Sequence, residues 1–113
     1  MRAVGKKRAP DILEELGRFS EPALLILISL AEGPKHGYSM TLDIESLTGT
    51  KLGPGTLYGA LSRLEARGLI EALPTEDRRR PYRISAAGAQ VLSARLASLT
   101  TLTRVGQRRL VHS

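Results

Sequence analysis

The chain reads as apolar blocks cut by glycine, proline and charge. Ile12, Leu13 and Leu16 share one side of a short helix that Pro10-Asp11 opens and Gly17 stops. Ser20 is placed to cap the next helix, with Glu21-Pro22 in its first turn. That helix, about 21–31, is apolar nearly all round through Leu24, Leu25, Ile26, Leu27, Ile28 and Leu30. A helix of this kind is a buried core element. Gly33-Pro34 ends it, and His36-Gly37-Tyr38 opens another that runs to about residue 47. Tyr38, Leu42, Ile44 and Leu47 supply its apolar side, and Gly49 stops it.

The segment GPGTLYGALSRLEARGLI begins with a turn and continues as a helix from about 54 to 67, with Gly68 suited to a left-handed end. At about 100° per residue, Leu57, Ala60, Leu61 and Leu64 form one core-facing stripe. Gly55, Gly59, Ser62, Arg63 and Ala66 fall on the far side, and Thr56 and Tyr58 flank the stripe. Small residues opposite the core let a helix backbone approach a partner closely. The free N–H groups and positive dipole end of its first turn suit a phosphate. The hydroxyls of Thr56 and Tyr58 can reach phosphates, and Ser62 and Arg63 can reach phosphates or base edges.

Two extended runs follow, at 69–73 and 81–84, joined by the charged loop PTEDRRR. They predict a β-hairpin with Arg78, Arg79 and Arg80 at its tip, able to straddle a backbone or enter a minor groove. Ser85 then caps a long last helix to about residue 111. Three helices, a hairpin and a final helix predict a mainly α fold, a winged helix-turn-helix whose groove helix is the one starting at Pro54. The expected division is a basic arm and short helix at 1–19, the winged domain at 20–85, and a dimerisation helix at 86–113.

Along that last helix Leu92, Leu96, Leu99, Thr103, Gly106 and Leu110 recur at spacings of four and three, the seam of a helix packed on a partner. The short N-terminal helix offers a second apolar strip that could cross the seam. A symmetric homodimer would set two groove helices ~34–36 Å apart and require an inverted-repeat operator. The seam weakens at Thr103 and Gly106, which leaves either loose packing or a gap for a small hydrophobic effector.

Charge sharpens this picture. Of 17 basic and 11 acidic residues, the stretch 76–113 holds eight basic and only Glu76 and Asp77 as acids. Residues 19–75 hold four basic and six acidic groups. A basic excess outside the core attracts polyanions. There is no cysteine, which excludes disulfides and cysteine metal sites and fits a reducing cytoplasm. The run ALLILI is far shorter than the ~20 residues that span a bilayer. Together with a charged N-terminus, it predicts a cytoplasmic protein without a membrane anchor.

Enzyme chemistry finds little purchase. His36 and His112 are the only histidines, and His36 reads as a cap or packing residue rather than a catalytic one. No metal-ligand spacing appears, and GTKLGPGT does not match a phosphate-binding GxxxxGK[ST] loop. No cofactor is expected. RNA recognition usually needs exposed aromatic platforms, and this chain has one Phe and three Tyr. A winged helix used only for protein contacts has no need of three arginines at its wing tip. Double-stranded DNA is therefore the expected partner, with an RNA-binding or protein-interaction module as the alternative.

The segments LAEGPKHGYSM (30–40), LTGTKLGPGTLYGALSRLEARGLIE (47–71) and RRRPYRISAAGAQVL (78–92) resemble the PadR family of bacterial transcriptional regulators. The resemblance covers about residues 20–92. It implies a homodimeric regulator that binds operator DNA and represses transcription, with dimers formed through the C-terminal helix. It also implies that some members bind small hydrophobic or aromatic effectors. The family's groove-helix start maps to Pro54, Gly55, Thr56, Leu57 and Tyr58, its wing arginines to Arg78, Arg79 and Arg80, and its wing tyrosine to Tyr82. This chain departs from the family at Gly59, where proline is frequent, and has a single C-terminal helix. It also has no tryptophan with which to sandwich a planar ligand.

Overall fold

The apolar helix singled out by the pattern is the one around which the others assemble. The computed structural model describes residues 12–112; the expected basic arm at 1–9 and the Pro10-Asp11 helix start lie outside them. Helix α1 (Ser20–Ala31) buries Ala23, Ile26, Leu27, Ser29 and Leu30. Helix α2 (Gly37–Thr48) packs on it through Met40, Thr41 and Ile44. Helix α3 (Pro54–Ala66) contributes Leu57, Ala60, Leu61 and Leu64, the stripe expected from spacing. The apolar side expected for α2 is corrected. Tyr38, Leu42 and Leu47 are exposed, because the helix turns Met40 and Thr41 inward instead.

Helix ends follow their local chemistry. At the end of α3, Leu69 N–H donates to the Leu64 carbonyl and Gly68 N–H to that of Glu65, both at 3.0 Å. This pair of hydrogen bonds needs a left-handed residue between helix and strand, and Gly68 supplies it at a φ of 74°. Leu64 and Leu69, brought together by that turn, are both buried. A polar tie fixes α1 against α2: Ser29 Oγ donates to Asp43 Oδ2 at 2.6 Å. Lys35 Nζ donates to the Ser29 carbonyl and pairs with Glu32 at 3.3 Å. Lys35 thus sits at the negative dipole end of α1.

The wing is a small antiparallel sheet in the order β1-β3-β2. Strand β1 is Lys35–His36, β2 is Ile70–Ala72 and β3 is Pro81–Ile84. Ile70 pairs with Ile84 and Ala72 with Tyr82, while Lys35 and His36 pair with Tyr82 and Pro81. The hairpin was expected; β1 was not, since two residues are too few to show a period.

The N-terminal expectation needs more correction. The chain forms 3-10 turns over Glu14–Phe19 that break at Gly17, at a φ of 58°, where the stop was expected; α1, however, has no side-chain cap, so Ser20 does not play that part. Leu13, Leu16 and Phe19 are buried in the same core as α1 and α3. Phe19 is therefore inside the winged domain rather than beside it. The strip of Leu13 and Leu16 is spent on that core and is not free to cross a partner helix.

Ser85 does cap helix α4 (Ala86–Val111): its Oγ accepts from Gly88 N–H at 3.0 Å. The same hydroxyl donates to the Gly68 carbonyl at 2.6 Å, locking α4 to the end of α3. Gly88 lies so close to β2 that an added Cβ would stand 2.0 Å from the Leu69 carbonyl oxygen. At ~1.5 Å rise per residue, α4 is about 39 Å long. It carries the longest dimension of the chain to 54 Å. Its first half packs on α1 and β3, with Arg95 and Glu14 3.8 Å apart. The fold is mainly α with a three-stranded antiparallel wing. Among the described residues no helix is long and apolar enough to cross a membrane.

Candidate nucleic-acid interface

The start of α3, the start of α2 and the wing meet at one end of the molecule. Gly53 stands at the cap of α3 and Pro54 in its first turn, so no cap side chain occupies the first N–H groups. Tyr58, one turn on, is exposed and leans over the first turn of α2. A Cβ at Gly37 would come 2.6 Å from its hydroxyl oxygen. Glycine at this position leaves room for the phenol.

Tyr82 enters from β3, half-buried against the core. Burial pushes its phenol above the ordinary value of 10.0, and the charge of Glu65 and the neighbouring Tyr58 act the same way against Arg80. Tyr82 therefore stays a neutral hydroxyl that can donate to an anion.

The wing ends in a two-residue turn. Glu76 and Arg79 exchange both backbone hydrogen bonds at 2.7 Å. Asp77 and Arg78 between them have φ of 47° and 67°. That is a type I′ turn, whose twist suits a hairpin and whose second position favours glycine. Arg78 holds that position and has no intramolecular partner among the described residues. Arg80 Nη1 donates to the Leu73 carbonyl at 2.9 Å, and Arg79 Nη1 lies 3.2 Å from His36 Nε2.

His36, Gly37, Tyr38, Tyr58, Arg78, Arg79, Arg80 and Tyr82 together line an open groove of about 210 Å³. Its lining includes guanidinium and phenol donors and no carboxylate. Chemically it is matched to oxygen anions. Tyr58, Tyr82 and the wing arginines, read separately from sequence, are thus brought together. Pro54, Gly55 and Ser62 are exposed along the outside of α3, and Thr56 is half-buried on its flank.

Two expected outer-face residues also meet Phe19. Arg63 sits 4.1 Å from the centre of the Phe19 ring and donates to the Gly59 carbonyl at 3.0 Å. A Cβ at Gly59 would fall 2.7 Å from Phe19 Cε1. These two residues seat Phe19, on the flank about 100–140° round the helix from Tyr58. Arg63 stays exposed on the side away from the α3 stripe, as expected, while Gly59 is partly covered by a ring that the sequence reading left outside the domain. His36, Gly37 and Tyr38 line this groove, a placement that pattern reasoning missed. The histidine looked like a cap, yet its ring makes no capping bond.

The proposed seam on α4 divides. Leu92 is largely buried in its own chain's core. Leu96 and Leu110 are exposed, as are Leu102 and Val111, and Leu99 is half-buried.

Residues 26–94 match the Transcriptional regulator PadR-like family. The chain is 39% identical over 84 residues to Transcriptional regulator Rv3488 of Mycobacterium tuberculosis, covering 72% of this chain and 78% of that protein. It is 42% identical over 86 residues to a 37.1 kDa protein of transposon TN4556 from Streptomyces fradiae, covering 76% of this chain but only 25% of that one. Among solved structures, a transcriptional regulator from Clostridium thermocellum aligns at a TM-score of 0.70 and 28% identity, covering 83% of this chain and 96% of that one. A PadR-like transcription factor from Bacteroides fragilis shares the fold at a TM-score of 0.72 and 20% identity, covering 87% and 98%. The match extends over the helices, the groove and the wing just described, and this chain belongs to the PadR-like family of transcriptional regulators.

Proposed function

We propose that this regulator binds operator DNA as a homodimer and represses transcription. The observation that carries the reading is the convergence of Tyr58, Tyr82 and Arg78, Arg79 and Arg80 on one groove without a carboxylate, beside the exposed side of α3. In this reading Pro54, Gly55, Thr56 and Ser62 approach the major groove, and the wing arginines reach the neighbouring backbone or minor groove. A second copy would pack along α4 through Leu96, Leu99 and Leu110, setting two groove helices for an inverted repeat. Between α1, β3 and α4, Ala31, Ile84, Ala89, Leu92, Ser93 and Leu96 line an open groove of about 340 Å³, the part of the chain suited to a small hydrophobic effector.

The test is competition among duplex DNA, single-stranded DNA and RNA of one sequence pool, followed by recovery of the bound duplexes. Inverted repeats should emerge, and a reporter promoter containing them should fall in output when the protein is present. Preference for RNA or single strands would sink the reading, and a rising reporter would reverse its sign.

A further inference from the structure

The wing tip is fastened to the helical body by a side-chain contact that the DNA-binding reading does not use. His36 stands at the cap position of α2 but makes no capping bond. Its Nε2 lies 3.2 Å from Arg79 Nη1 and 3.4 Å from Ser39 Oγ. A guanidinium carries donors only, so Nε2 must offer its lone pair and the ring proton belongs on Nδ1. The two residues are 43 positions apart. His36 is also paired in the sheet with Pro81, so the contact extends the β1–β3 pairing beyond the strand end towards the tip.

The other bonds at the tip are internal to the wing. Glu76 and Arg79 close the turn, and Arg80 returns to the Leu73 carbonyl. Residues 75–80 are exposed throughout, with no apolar packing to hold them. Among the described residues, the imidazole is what ties an arginine of the tip to the body.

We infer that His36 is a positioning residue for the wing: it accepts a hydrogen bond from Arg79 and holds that guanidinium at the groove. The inference rests on the proposed binding of DNA through this groove. A long flexible side chain held in place before binding loses less freedom on binding. The phosphate contact itself belongs to Arg79; His36 acts through it.

The probe is a short duplex recovered by the wild-type chain from a random pool. His36→Ala should bind it about two- to tenfold more weakly, the cost of ordering one such side chain afresh. The midpoint of thermal unfolding should not move. His36→Gln places an amide oxygen near the site of Nε2 and should restore most of the affinity. In an Arg79→Ala background, His36→Ala should have no further effect. Equal losses with and without Arg79, no rescue by glutamine, or wild-type affinity for His36→Ala would each overturn the inference. Failure of the wild type to retain any duplex would instead refute the DNA reading beneath it.

Discussion

Single residues in this chain matter most where backbone meets backbone. Gly88 is one: the Leu69 carbonyl that a Cβ would strike already accepts from Ser85 N–H at 3.0 Å, so it cannot swing aside. Gly88→Ala should lower stability to urea by the upper end of the ~1–3 kcal/mol typical of overpacking, or more. Gly106 is the contrast, with nothing within 4 Å of a built Cβ. Gly106→Ala should raise stability, by up to about 1 kcal/mol, because alanine orders more cheaply in a helix. Tyr82 makes a further prediction, in alkali. Burial raises its folded pKa above 10.0, so near and above that pH the unfolded chain releases the proton first. The native state then binds more protons than the unfolded one, and stability falls as pH rises. The contribution is complete below about pH 10 and lost above the raised value. Tyr82→Phe should flatten the alkaline end of the stability curve; an unchanged slope would show that the phenol is not desolvated.

At the scale of elements, the wing trades stability for presentation. Arg78 occupies a left-handed position at a φ of 67°, a cost of about 1–2 kcal/mol for a residue with a Cβ. Arg78→Gly should therefore make the hairpin more stable while weakening DNA binding. A variant that loses both, or neither, would contradict the turn as described. Replacing Arg78, Arg79 and Arg80 together by alanine should reduce the salt dependence of binding, by about 0.9 in the log–log slope for each phosphate no longer neutralised. The fold should persist, since the tip is exposed. A slope equal to wild type would place the wing away from DNA.

At the scale of the whole molecule, α4 leaves the body of the fold with Leu102 65% and Val111 78% exposed. A helix bearing such side chains is more stable when a second apolar surface covers them. Sedimentation of the wild type at micromolar concentration should give a dimer. Leu96→Glu/Leu110→Glu should give a folded monomer, because both seam positions are already exposed in one chain. A dimer that survives the double substitution would move the interface off α4. Loss of the dimer should also weaken operator binding, since the two half-sites would be engaged separately.

Sequence alone determined what depends on local periodicity and local caps. The α3 stripe of Leu57, Ala60, Leu61 and Leu64, the all-apolar α1, the Gly68 turn, the Ser85 cap and the hairpin are each written within a few residues of where they act. The arginines of the tip are contiguous and needed no fold to be found. Tertiary structure decided what depends on distance between elements. Strand β1 exists only because β3 passes beside it, and His36 meets Arg79 only across that pairing. Phe19 turned out to be core because Gly59 leaves room for its ring, a complementarity between residues 40 apart that no hydrophobic period encodes. Leu92 lies on the same seam as Leu96 by spacing, yet one is buried and the other exposed. Periodicity gives the side of a helix that is apolar; whether that side meets its own chain or another is set by where the helix leaves the body, which only the packed molecule decides.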